Sequence, residues 1–216
     1  MDVTQIILHD HAEQRRLFAA ISEIDPSETE ALAAIWGRLK SLLDSHAEAE
    51  ERFFYPDLLK TGTGAADADD AEEETRDAID DHNEIRDTGE EVQKYEVGSP
   101  EWFSAVAACE VANSDHMGEE ERQGLVDFRK RNSLEVRHKL GIQFLAFQCA
   151  HLTGVPVEDK DVDDYVEEVM ETYHSLAYQL TCYLLTSCPP PSIQVYVPPV
   201  SKPWVSQGSE AEITEE

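Results

Sequence analysis

Basic residues are scarce in this chain. Only 17 lysines and arginines stand against 46 aspartates and glutamates, a formal charge of -29. No basic stripe is available to neutralise phosphates, which argues against DNA, RNA and anionic membranes as partners and favours cations. Cysteine is sparse too. Cys109, Cys149, Cys182 and Cys188 form no Cys-x-x-Cys pair, and their wide spread fits reduced thiols in a cytosol. The start, "MDVTQIILHDH", has an acid at position 2 and no basic opening of a secretory leader. The longest apolar stretch, "YHSLAYQLTCYLLTSC", is short and is interrupted by His174 and Gln179, so no membrane span is expected. Strand-like alternation is nearly missing. A cytoplasmic, all-α protein is the expectation.

What the chain does have is helical periodicity. Asp2 is a plausible cap for a first helix with Ile7, Leu8, His11, Phe18 and Ile21 on one side. Ser27 with Glu30 reads as a capping box for a second helix. Its stripe runs Leu32, Ile35, Trp36, Leu39, Leu42, Leu43, His46, Glu50, Phe53 and Phe54, with Pro56 near its end and "KTGTGAADADD" as the loop beyond. Thirteen acids lie between Asp67 and Glu91, yet Ala71, Ala78, Ile79, His82, Ile85, Val92 and Tyr95 still mark one narrow apolar face. Ser99 and Pro100 open a fourth helix, with Trp102, Val106, Cys109, Asn113, His116, Met117 and Glu120 along one side.

Short connections between four such helices predict an up-down-up-down four-helix bundle over residues 1–132. Two further helices form a C-terminal extension, 133–187. They are expected to pack on the bundle or on a partner, a second copy included. Residues 188–216 hold six of the ten prolines and an acidic end, the composition of an extended or disordered tail.

One pattern is written twice. "DHAEQR" at Asp10–Arg15 returns as "DHNEIR" at Asp81–Arg86, and "SHAEAEE" is answered by "DHMGEEE". His46 and Glu50 are four apart, so they project from one helix face, and His116 and Glu120 do the same. His11 and His82 sit among apolar neighbours on their own helices. Four helices thus aim four imidazoles and two carboxylates at one interior. Burying these groups without partners would cost several kcal/mol. A pair of divalent cations satisfies them, and the mixed imidazole and carboxylate set suits iron, zinc or manganese better than calcium or magnesium.

The segments "LHDHAEQRRLF", "HAEAEERFFYPDLL", "DDHNEIRD" and "DHMGEEERQ" resemble the hemerythrin-like, HHE cation-binding family. The resemblance spans about residues 1–130. It implies a non-heme di-iron centre with His11, His46, Glu50, His82, His116 and Glu120 as metal ligands. His11 and His46 would hold one iron and His82 and His116 the other, with Glu50 and Glu120 bridging. It implies binding of oxygen or a related small ligand, nitric oxide or peroxide. Zinc and manganese rank behind iron. Arg86 stands where the oxygen-carrying members have a fifth histidine, so the implied alternatives are an enzyme consuming peroxide or nitric oxide, and an iron store or sensor. No residue is assigned a catalytic role.

The neighbours carry plainer expectations. His9 reads as a surface residue, and His138, His151 and His174 as structural. Asp10, Asp81 and Asp115 directly precede proposed ligands, but adjacent helical positions diverge by about 100°, so they read as surface acids. Arg15 and Arg86 pair with nearby acids or reach solvent. Phe53 and Phe54 wall the site, with Tyr55 turned away from it. Cys109 and Asn113 pack in the core.

Overall fold

The computed structural model of the chain describes residues 1–65 and 70–186, and among these every regular element is a helix. The expected Pro-rich tail, 188–216, lies outside the described residues. Residues 1–174 form one unit and 175–216 a second. In the first unit, α1 (Val3–Glu23), α2 (Thr29–Ala49), α4 (Ala71–Val92) and α5 (Pro100–Arg122) are the four long helices. A π-helical turn, Glu50–Phe54, joins α2 to the short α3 (Tyr55–Thr61). After α5 come α6 (Gly124–Arg131), α7 (Leu134–Ala150) and α8, which spans Val162–Thr186 and so runs on into the second unit.

The caps explain most of the boundaries. Asp2 accepts from the Thr4 N–H, Ser99 from Trp102 and Ser133 from Val136. Asp70 accepts from both Glu72 and Glu73, and Glu72, Glu73 and Glu74 in that first turn complement the positive end of the α4 dipole. The Ser27–Glu30 capping box does not form. Ser27 instead donates to Asp25 in a local turn, and α2 begins at Thr29 without a side-chain cap. The aspartate two residues back captures the serine first. Tyr95, expected on the buried face, lies beyond the last residue of α4 and is 38% exposed, bonded to Glu91.

Two apolar clusters form the core. One gathers Leu17, Phe18 and Ile21 of α1, Leu32 to Leu43 of α2, Ile85 and Val92 of α4, and Trp102, Val106 and Cys109 of α5. The other gathers Val3 and Ile7 of α1, Ala49, Phe54 and Leu58, Ala78 and Ile79 of α4, then Leu125 and Phe128 of α6 and Leu140 and Phe144 of α7. Helix α1 runs from the second cluster to the first, α2 runs back, α4 repeats the path of α1, and α5 contributes to the first cluster alone. Between the clusters, all four helices carry polar residues: His11, Gln14, His46, Glu50, His82, Arg86, Asn113, His116 and Glu120, every one buried. Helix α7 packs on α1 and α2. Cys109 and Cys149 are free thiols; burial pushes the Cys109 thiol up to about 11, so it acts as a core apolar group.

Glu74 sets a pH dependence. It accepts from the Ala65 N–H beside Asp127, which takes the Thr63 and Gly64 N–H groups. Burial and then the Asp127 charge push its carboxyl up to about 7, although the Ala65 bond pulls the other way. A raised folded pKa means stability is full below the ordinary value of 4.5 and is lost as pH rises to about 7. Glu74→Gln is therefore expected to stabilise the protein by about 1–2 kcal/mol near pH 8 and by almost nothing near pH 4, measured by urea unfolding at both.

Candidate metal centre

The polar layer brings the repeated motifs together. His46 and Glu50 leave the end of α2 one turn apart, and the Glu50 Oε1 lies 3.0 Å from the His46 Nε2. The other Glu50 oxygen lies 3.4 Å from the His82 Nε2 of α4. The His82 and His116 Nε2 atoms face each other at 3.1 Å, and the His11 Nε2 is 3.3 Å from the Glu120 Oε2. His11, His46 and Glu50 form one set of potential ligand atoms within 4.8 Å of one another; Glu50, His82 and His116 form a second. Glu50 belongs to both. Glu120 stands at the side of His11.

Each imidazole is held from behind by a carboxylate. His11 Nδ1 is 3.0 Å from Glu121, His46 Nδ1 3.1 Å from Asp10, His82 Nδ1 2.8 Å from Glu51 and His116 Nδ1 3.3 Å from Asp81. An ionised carboxylate only accepts, so each ring donates from Nδ1. A ring in its neutral form would then turn a bare Nε2 lone pair inward, the form in which histidine binds a metal.

Apart from the His82 and His116 Nε2 atoms, which bond each other, the inward-facing atoms lack hydrogen-bonded partners. The Nε2 atoms of His11 and His46, both Glu50 oxygens and the Glu120 Oε2 are buried without a hydrogen bond. Their nearest neighbours are one another, at ion-pair distances: His46 to Glu50 and His11 to Glu120. Protons are the fallback. Burial would lower the His46 and His82 pKa values, but Glu50 and the outer carboxylates raise both, His46 well above the ordinary imidazole range. Burial would raise Glu50, but His46 and His82 hold it well below the usual carboxylate range. Such a cluster of lone pairs and orphaned oxygens fits divalent cations, which would take the place of those protons.

All six sequence-predicted residues reach this layer. Several neighbours differ from expectation. Asp10 and Asp81 are not idle surface acids. The divergence of about 100° does keep each from its own adjacent histidine, but it turns each toward the histidine of the next long helix. Asp115 is exposed. Glu51 and Glu121 hold the other two rings across the helix interface. The repeat itself signals the pairing, because both follow the second glutamate of the same motif. Arg15 donates to Glu121 and Arg86 to Glu51, so these arginines do pair with nearby acids.

Tyr55 is not turned away. The π turn bonds the Tyr55 N–H to the Glu50 carbonyl five residues back, and this extra residue rotates Tyr55 inward. Its ring is 1% exposed, 5.7 Å from that of His82, and its hydroxyl donates to Glu120 at 3.1 Å. Pro56 sits just after the wide turn, which relieves the helix of a proline within regular α-helical bonding. Phe54 lies in the apolar cluster against Phe128, and Phe53 is half-buried against Phe147. Besides Tyr55, the aromatic residue beside a site histidine is Phe144 of α7, 5.9 Å from the His46 ring. His9 is exposed, His138 bonds the Met1 carbonyl and His151 the Phe147 carbonyl.

Comparison with known proteins agrees with this geometry. The hemerythrin HHE cation-binding domain family matches residues 2–124, which hold all six inward-facing residues and all four outer carboxylates. No curated protein and no solved structure matches the chain. The polar layer, its twice-written motif and the family match lead to one assignment: the chain belongs to the hemerythrin HHE cation-binding domain family.

Proposed function

We propose that the chain is a non-heme di-iron protein of the cytoplasm that binds oxygen or a related small ligand, nitric oxide or peroxide. Its ligands are His11, His46, Glu50, His82, His116 and Glu120, with Glu50 spanning the two positions. The four long helices form an up-down-up-down bundle, a reading supported by the alternating course of α1, α2 and α4 between the two apolar clusters. The absence, among the described residues, of any helix long and apolar enough to cross a membrane is consistent with this setting.

The observation that carries the proposal is Glu50. A fully buried carboxylate whose oxygens make no aligned hydrogen bond and lie 3.0 and 3.4 Å from histidines of two different ligand sets is placed to be shared by two cations. Bound iron would supply reversible electron transfer and an acceptor position for a small ligand. The chain's own residues do the rest. Asp10, Glu51, Asp81 and Glu121 fix the tautomer and orientation of the four rings. Phe144 and Tyr55 close the layer against bulk water. The Tyr55 hydroxyl also offers a proton donor at Glu120, which favours turnover of peroxide or nitric oxide as the second reading.

Protein isolated from iron-supplied cells is expected to hold about two iron per chain and to show near-ultraviolet charge-transfer bands that change on reduction. Iron well below that ratio, with no such bands, overturns the assignment. Steady oxygen release from peroxide, lost in His46→Ala, would select the second reading over simple binding.

A further inference from the structure

The α1–α2 and α4–α5 halves repeat their outer carboxylates and their arginines. Glu121 holds His11 and takes Arg15; Glu51 holds His82 and takes Arg86. The segment beyond the family match breaks this equivalence. Lys160, in the connection between α7 and α8, pairs with Glu51 and with Glu48. The Lys160 backbone is tied to Asn83 in both directions, its N–H donating to the Asn83 Oδ1 and its carbonyl accepting from Nδ2. The Tyr165 hydroxyl donates to the Glu51 carbonyl. On the other side Gln148 of α7 donates to Asp10 at 2.6 Å, on the same oxygen that holds His46. Both sets of inward-facing ligands are thus reached by the extension, one through a neutral amide and one through a cation. Glu121 has no second cation among the described residues, and its arginine is 46% exposed at the side chain, against 3% for Arg86.

We propose that the helical extension is part of the metal centre, and that Lys160 is a positioning residue which makes the His82–His116 position the weaker of two unequal cation positions. This rests on the paired-metal reading above. A divalent ion beside His82 and His116 meets two cations behind Glu51, one of them buried. An ion beside His11 and His46 meets one exposed arginine, a neutral amide, and the Glu120 oxygen 3.3 Å from His11. The charge difference acts in a water-poor interior, where screening is weak. The first position should fill first.

The sign for Lys160 follows from what remains without it. Glu51 keeps His82, Arg86 and its place in the π turn, so the ring stays oriented. What goes is a positive charge that opposes the incoming ion. Loss of Lys160 should therefore tighten the second position, whereas loss of an ordinary scaffold contact would loosen it.

The test titrates Co2+ into metal-free full-length chain, followed by visible absorption and by calorimetry. The wild type is expected to load in two steps. In Lys160→Met the second dissociation constant should fall about tenfold with the first step nearly fixed, and Lys160→Arg should behave as wild type. Lys160→Gln gives the same comparison if the methionine variant folds poorly. A second step unchanged or weakened in both neutral variants, or a single step in the wild type, overturns the proposal. A wild type that takes up no Co2+ at all overturns the metal reading itself.

Discussion

Glu50→Gln is expected to lose paired metal loading, with affinity for a divalent cation falling at least about 100-fold while the metal-free protein unfolds within about 1 kcal/mol of wild type. Glu50 is the one carboxylate in both potential ligand sets, 0% exposed, with an oxygen toward His46 and another toward His82. Glutamine keeps the shape but removes the charge, and one of its two head atoms is a donor that cannot bind a cation. Stability changes little because two effects oppose. The substitution removes the anion that balances His46 and His82, and it also removes the cost of burying that anion. Metal analysis and calorimetry on the same sample separate the outcomes. Retained stoichiometry and affinity would show that Glu50 is not shared between cations.

Trp102→Ala is expected to destabilise the chain by about 3–5 kcal/mol, lowering the thermal midpoint by on the order of 10 °C, without changing metal stoichiometry in the folded fraction. Trp102 is 1% exposed and meets Trp36 edge-on at 6.3 Å between ring centroids. It belongs to the apolar cluster that holds Leu39 and Val106, on one side of the polar layer, whereas Phe54 and Phe128 pack on the other. The vacated volume is walled by large side chains from several helices and so cannot collapse fully. Urea unfolding with metal analysis checks both halves. A loss of metal from folded Trp102→Ala would mean that this cluster sets ligand geometry as well as stability.

Taken together, these two substitutions probe a division built into the helices. The apolar clusters supply cohesion, and the layer between them concentrates polar groups that weaken the metal-free fold. Arg86 illustrates the balance. It stands where the resemblance suggested a fifth histidine, but its guanidinium is turned onto Glu51 and Asn83 and holds His82 indirectly. Burial would raise the Glu51 carboxyl, yet His82, Arg86 and Lys160 keep it down at about 2, so it remains an acceptor for the His82 ring.

The short α3 and α6 aside, the sequence by itself determined the four long helices with their amphipathic faces and the six inward-facing residues. These depend on local geometry. A spacing of four residues puts His46 over Glu50 in any α-helix, and Asp2, Ser99 and Pro100 act within one turn of their own position. Tertiary structure decided everything that needs a second helix or an irregular turn. It decided that Asp10 serves His46 and Asp81 serves His116, because a carboxylate diverging from its own neighbour finds a partner only when another helix is placed beside it. It decided that Tyr55 faces Glu120, because the π turn adds a residue that regular spacing does not count. It also decided that Gln148 and Lys160, far along the chain and in no repeated motif, touch the outer carboxylates. Contacts of that kind are fixed by how α7 and the α7–α8 connection pack on the long helices, a matter of three-dimensional fit that no periodicity records.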